Sequence, residues 1–219
     1  MQLFHKNNGK KSLLIFFSGW ALDFNPLAHL FSDEILADKD LLFVWDYRNN
    51  DFEFDFSKYE KIDVVSFSYG VFMSQFANLP QVNSNTAICG TLYPISREFG
   101  INPKMFDLTV KALSDVTLQK FYQNMFCEDI EYKKFCDLNS FNSPNIENLK
   151  AELENIRNLS LLHREDKVAF TKAIISKSDR VIPTNSQLSY WQKDVNVEMI
   201  EAGHFPFFKY SLEGLINGR

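Results

Sequence analysis

The chain has 219 residues, 45% hydrophobic and 23% charged, with a formal net charge of −5. That balance suits one globular domain with a sizeable core. It argues against a nucleic-acid binder, since no basic run offsets the acidic total, and the mixed charges offer nothing to an anionic membrane. Phenylalanine is the outlier at 22 residues, implying a heavily aromatic core or an apolar cavity for a greasy ligand. Cys89, Cys127 and Cys136 are odd in number and lack metal-ligand spacing. Reduced thiols in a cytoplasmic protein are therefore expected, with no metal and no cofactor. The first eight residues lack the apolar core of a signal peptide, and no apolar run approaches membrane-spanning length.

In chain order, residues 12–18 (SLLIFFS) form a continuous apolar run that stops at Gly19. Similar runs follow at 41–47, 62–67 and 85–89, and after a long gap at 169–176 and 195–200. Such runs suit strands buried on both faces of a parallel sheet. Helical periodicity over 69–78 and 184–193 lies between some of them. The pattern predicts an α/β fold, a mostly parallel sheet flanked by helices. Between Gly90 and Val168 the segments 104–113, 116–127, 129–137 and 146–163 are helical in pattern. A gap of that length is no ordinary connection. Residues 91–167 read as a helical lid inserted into a core made of 1–90 and 168–219, within one domain. Folded over the C-terminal edge of the sheet, the lid would close the cleft that open α/β sheets keep there. A helical decoration on the back of the sheet fits the same pattern.

Ser68 sits between the run ending at Phe67 and the helix opening at Tyr69. "SFSYG" approximates the nucleophile elbow G-x-S-x-G, with Ser66 in place of the first glycine. The bland alternative is a small polar residue at a strand end. A serine nucleophile requires a base. His204 lies on the Gly203-marked loop after the last strand, whereas His5, His29 and His163 read as surface or packing histidines. Asp179 follows the preceding strand and can orient an imidazole. The order Ser68, Asp179, His204 is that of the α/β-hydrolases. Asp46, at the end of an earlier strand, is the rival acid. Donors for a developing oxyanion are the backbone N–H of Tyr69 and, from the loop after the first run, that of Trp20.

These residues lie in stretches that resemble a known family. "FFSGW", "VWDYRNNDFEFDFSKYEKIDVVSFSYGV", "REFGIN", "SDRVIP…YW" and "EAGHFPF" are similar to the pimeloyl-[acyl-carrier protein] methyl ester esterases of the BioG type. The resemblance implies an α/β-hydrolase that cleaves the methyl ester of pimeloyl-acyl carrier protein in biotin precursor synthesis. It implies Ser68 as nucleophile, Asp179 as acid and His204 as base, with Trp20 and Tyr69 giving the oxyanion donors. Related esterases place a lid helix beside the acyl chain, and Phe121 to Met125 falls in that helix. Trp20, Tyr69, Phe121 and Met125 are therefore the expected substrate contacts. The partner implied is an acidic acyl carrier protein. Lys104 and Lys111, two helical turns apart, are candidates to dock it, although acidic residues slightly outnumber basic ones in the lid. A general short-acyl carboxylesterase or thioesterase would use the same triad. A hydrolase-like scaffold that binds without catalysis is the reading from another class.

Overall fold

The computed structural model describes residues 1–139, 145–162, 169–191 and 195–218. His163 and the expected lid boundary at 167 fall outside them. Seven strands form one sheet: β1 (Gln2–Lys6), β2 (Ser12–Phe17), β3 (Lys39–Trp45), β4 (Lys61–Phe67), β5 (Ser84–Ile88), β6 (Lys172–Ser176) and β7 (Asn196–Ile200). Their spatial order is β1-β3-β2-β4-β5-β6-β7, all parallel except β1, which runs antiparallel to β3. The apolar runs of the sequence correspond to β2 through β7. β1 is not among the predicted strands, because QLFHK occupies a sheet edge where no residue is fully buried and no apolar run is needed.

The helices are α1 (Tyr69–Met73), α2 (Pro103–Ala112), α3 (Asp115–Asn124), α4 (Asp129–Asn139), α5 (Ile146–Leu162), α6 (Thr184–Trp191) and α7 (Leu212–Asn217). α2 to α5 occupy the long gap between β5 and β6. Local chemistry starts these helices. Asn102 caps α2, with Pro103 in its first turn, and Ser114 forms a reciprocal capping box with Thr117 at α3. α1 is shorter than its apolar pattern predicts and tightens into a 3₁₀ turn over Ser74–Phe76. Among the described residues, no helix is long and apolar enough to cross a membrane.

Two crossovers depart from a regular doubly wound pattern. β2 reaches β3 through only a 3₁₀ turn, Asn25–Leu30, and no helix joins β3 to β4. Aromatic rings take part in the packing there instead. Phe52 lies beside Phe17, with ring centroids 6.1 Å apart, and contacts Phe56, which in turn meets Phe54. Phe16, Phe24, Phe31 and Phe43 form a second ring cluster around β2 and β3. Much of the phenylalanine excess thus serves the core, where aromatic side chains bury the most area per residue.

Ser66 tests how tightly the centre of the sheet is specified. It pairs with Phe17 on one side and Ala87 on the other. Its Oγ is buried without a hydrogen-bond partner among the described residues. An orphaned hydroxyl in a core opposes folding. Ser66→Ala should therefore leave stability unchanged or raise it by about 1 kcal/mol in urea unfolding. A clear loss of stability would mean that the hydroxyl is satisfied.

Candidate active site

Strand ends on the C-terminal edge of the sheet carry unusual backbone. Ala21, Asp46, Ser68 and Cys89 follow β2, β3, β4 and β5, and all have positive φ, from 49° to 61°. Non-glycine residues in this region are strained, and such strain collects at functional sites. Ser68, at φ 56° and ψ −125°, is the corner between β4 and α1, and its N–H donates to the Ile88 carbonyl at 2.9 Å. The corner requires Gly70, where a Cβ would lie 2.4 Å from the Phe17 carbonyl oxygen. It equally requires Gly90, where a Cβ would lie 2.3 Å from the carbonyl oxygen of Ser68.

Three side chains meet at this corner. His204 Nε2 lies 2.9 Å from Ser68 Oγ, and His204 Nδ1 lies 2.8 Å from Asp179 Oδ2. All three residues are buried, His204 to 1% exposure. Asp179 Oδ1 accepts the N–H groups of Val181 and Ile182, while Oδ2 also accepts from Gln187 Nε2 at 2.9 Å. The His204 loop is pinned where Phe205 N–H donates to the Met125 carbonyl at 3.0 Å. Asp46, the rival acid, is held instead by Arg48 through Nε at 2.8 Å and a second nitrogen at 2.6 Å. His5 bonds Tyr59, and His29 lies 3.2 Å from the Phe207 carbonyl with its ring stacked on Phe208. Neither approaches Ser68.

A cavity of about 380 Å³ opens above Ser68. Trp20, Tyr69 and Val181 line it from the sheet side, and Met105, Phe106, Leu113 and Phe121 from α2, α3 and the turn between them. Of the four expected substrate contacts, Trp20, Tyr69 and Phe121 line this cavity. Met125 does not. At helical spacing Met125 continues the buried stripe of Leu118 and Tyr122 into the core, while Thr117, Lys120, Phe121 and Asn124 line the cavity, and the Met125 carbonyl serves the His204 loop. Lys104 and Lys111 are exposed on α2 and outside the lining, whereas Lys120 and Arg180 contribute to it. Arg180, missed in the sequence, is adjacent to Asp179 and so shares its loop. Burial pushes the Tyr69 hydroxyl far above its usual range, so it stays protonated. Cys89, Asp179 and His204 bring sulfur, oxygen and nitrogen within 4.8 Å of one another. Burial also pushes the Cys89 thiol far up, and each of the three is already engaged, Cys89 with Ser176, Asp179 with the imidazole and His204 with Ser68.

The helices over the cavity are tied to the same loops. Trp20 Nε1 donates to the Leu149 carbonyl on α5 at 2.9 Å, and the Tyr122 hydroxyl of α3 donates to the Ala21 carbonyl at 2.9 Å. Tyr47, after β3, donates its N–H to Glu152 of α5 at 3.0 Å and receives Asn155 on its carbonyl. Its hydroxyl donates to the Ser18 carbonyl at 2.6 Å. Burial raises the Glu152 carboxyl to about 8, against the smaller opposing effect of the Tyr47 N–H. Sequence reading missed this network because it joins residues about a hundred positions apart.

The family model described as "Pimeloyl-ACP methyl esterase BioG" matches residues 1–213. The chain belongs to this esterase family. A malonyl-[acyl-carrier protein] O-methyltransferase of Bacteroides fragilis (strain 638R) is 35% identical over 205 residues, 90% of this chain. The chain spans only 40% of that relative's length. The crystal structure of BioG from Haemophilus influenzae superposes with a TM-score of 0.88 at 24% identity, covering 96% of this chain and 97% of that one. An esterase from Exiguobacterium antarcticum gives 0.70 at 12% identity, covering 98% and 92%. The fold is that of the α/β-hydrolases.

Glu152 makes stability pH-dependent in a definite direction. Its carboxyl holds its proton up to about 8 in the folded chain, against 4.5 unfolded, so the folded state binds more protons between these values. Stability must then fall as pH rises across that window, by about 1.4 kcal/mol per unit from this group. Glu152→Gln keeps an acceptor for Tyr47 N–H and removes the titration. Urea unfolding at pH 5, 6.5 and 8 should show the variant gaining on the native chain as pH rises. Parallel pH profiles would place the ionisation elsewhere.

Proposed function

We propose that this chain is a serine carboxylesterase that hydrolyses the methyl ester of pimeloyl-acyl carrier protein through a Ser68–His204–Asp179 triad. The observation that carries the reading is His204 bridging Ser68 and Asp179 at the floor of an apolar cavity. Ser68 Oγ attacks the ester carbonyl while His204 Nε2 takes its proton. Asp179 stabilises the resulting imidazolium. The oxyanion is met by the N–H groups of Trp20 and Tyr69, neither of which donates to another described backbone carbonyl. Gly19 packs against Ser68 and brings the Trp20 loop alongside it. Such preorganised donors are each worth roughly 3 kcal/mol of barrier. His204 returns the proton to the methoxide oxygen, methanol leaves, and a pimeloyl-serine ester remains. Water, deprotonated by His204, then attacks that ester, which releases the free carboxylate and restores Ser68.

Family membership supports the substrate. The Bacteroides relative is named for O-methyl transfer on a carrier-bound acyl group, the same kind of ester seen from the other direction. The apolar slot suits a neutral methylene chain. We assign α2–α5, within residues 91–167, the role of lid, and we place the carrier on its α2–α3 face, where Lys104, Lys111 and Lys120 are exposed together with Arg180. The reaction is assigned to the cytoplasm, where the unbridged Cys89, Cys127 and Cys136 would stay reduced.

Ser68→Ala and His204→Ala should each lower kcat on the order of 10⁴-fold or more, and the double variant little further, because the residues act as a unit. Near-normal turnover by Ser68→Ala would remove the serine mechanism. Chain length gives a second test, since each buried methylene contributes about 0.8 kcal/mol. For methyl esters of carrier-bound diacids, kcat/KM should climb with length until the slot is full. An equal rate for short p-nitrophenyl esters would favour a general short-acyl esterase.

A further inference from the structure

Asp179 is not oriented by its own loop alone. Its Oδ1 is occupied by the Val181 and Ile182 N–H groups, the turn an aspartate makes with residues two and three ahead. Oδ2, the atom that faces His204, has one other partner among the described residues, Gln187 Nε2 at 2.9 Å. Gln187 is fully buried on the inner face of α6. Its second amide proton goes to the Ile182 carbonyl at 2.8 Å. Both acceptors demand N–H groups, so flipping the amide would set its carbonyl against a carboxylate and a carbonyl. The orientation is therefore decided by chemistry. Its consequence is that Gln187 Oε1 is buried with no hydrogen-bond partner among the described residues. A buried orphan carbonyl opposes folding, and an apolar side chain at this position would avoid it.

α6 is held rigidly enough for this task. One turn after Gln187, Trp191 Nε1 donates to the Gly90 carbonyl at 2.9 Å, next to the Ser68 corner, and Thr184 Oγ1 donates to the Ser176 carbonyl at 2.8 Å. The helix is thereby bonded to the chain at the ends of both β5 and β6.

We propose that Gln187 is a positioning residue for the triad: its amide fixes the Asp179 oxygen that orients His204. The inference rests on Ser68, Asp179 and His204 being the catalytic set. Holding that oxygen in line with Nδ1 keeps the other ring nitrogen, Nε2, aimed at Ser68 Oγ. Gln187 touches no substrate and acts only through the carboxylate.

Gln187→Met keeps the length and volume of the side chain, removes both donors and removes the orphan carbonyl. Its kcat on a carrier-bound methyl ester should fall by about 10- to 100-fold, the range a hydrogen bond to a charged group is worth, with KM unchanged. In an Asp179→Asn background, where the carboxylate is gone, the same substitution should have little further effect. Equal losses in both backgrounds would mean that Gln187 serves folding alone, and an unchanged kcat in the native background would also overturn the proposal. Loss of activity in Ser68→Ala tests the triad independently, so failure of the Gln187 effect with an intact Ser68 effect rejects only this inference. If the methionine variant does not fold, a chain that keeps Gln187 still gives the answer. With the glutamine side chains labelled with ¹⁵N, the Gln187 amide protons should shift upfield on Asp179→Asn, and an unmoved signal would exclude the contact.

Discussion

The backbone of Ser68 is the constraint on which the rest of the site depends. At φ 56° this residue is in a conformation that costs on the order of 1–3 kcal/mol, so its surroundings must impose it. They do so from three directions. The Ile88 carbonyl holds its N–H, the Phe17 and Ser18 carbonyls crowd against Gly70, and Gly90 lies directly on its own carbonyl. These contacts belong to β2, β4 and β5 or to the residues just beyond them. The corner therefore exists only when the parallel register of these strands is complete.

The same edge explains why the helices over the cavity cannot be treated as an independent flap. α3 and α5 bond the loops after β2 and β3, and the first of these borders Ser68 through Gly19. Trp20 is the clearest case. Its ring lines the cavity and meets Phe121 at 4.9 Å, its indole N–H holds α5, and its backbone is the proposed oxyanion donor. A displacement of α5 would reach the donor through a single side chain. Glu152 sits in this network as a buried acid, so its protonation bears on the joint between helix and core.

Aromatic residues divide between two tasks. Around β2 and β3, phenylalanines provide packing where two crossovers lack an α-helix. A further cluster of Phe126, Phe135, Phe205 and Phe208 lies around the His204 loop, with centroids 5.1 to 5.9 Å apart. Phe106 and Phe121 face the cavity. The high phenylalanine content therefore reflects chiefly how this chain builds its core, with a smaller share given to the slot.

The strands β2 to β7, the helices α2 to α5 and the candidates Ser68, Asp179 and His204 were legible from sequence, because each depends on local signals. Buried parallel strands read as unbroken apolar runs, amphipathic helices repeat every three to four residues, and loop residues at strand ends follow chain order. β1 was not legible, since an edge strand has one unburied flank and no run to display. Met125, expected beside the substrate, lies on the buried stripe of Leu118 and Tyr122, because which face of α3 meets the core is set by tertiary packing. Glu152, Gln187 and Arg180 carry no local signal at all. Glu152 acts across 105 positions to Tyr47, and Gln187 is an ordinary polar residue on a short helix until the fold brings Asp179 to it. Local chemistry marked the candidate residues, and only the packing of distant strands and helices decided what holds them in line.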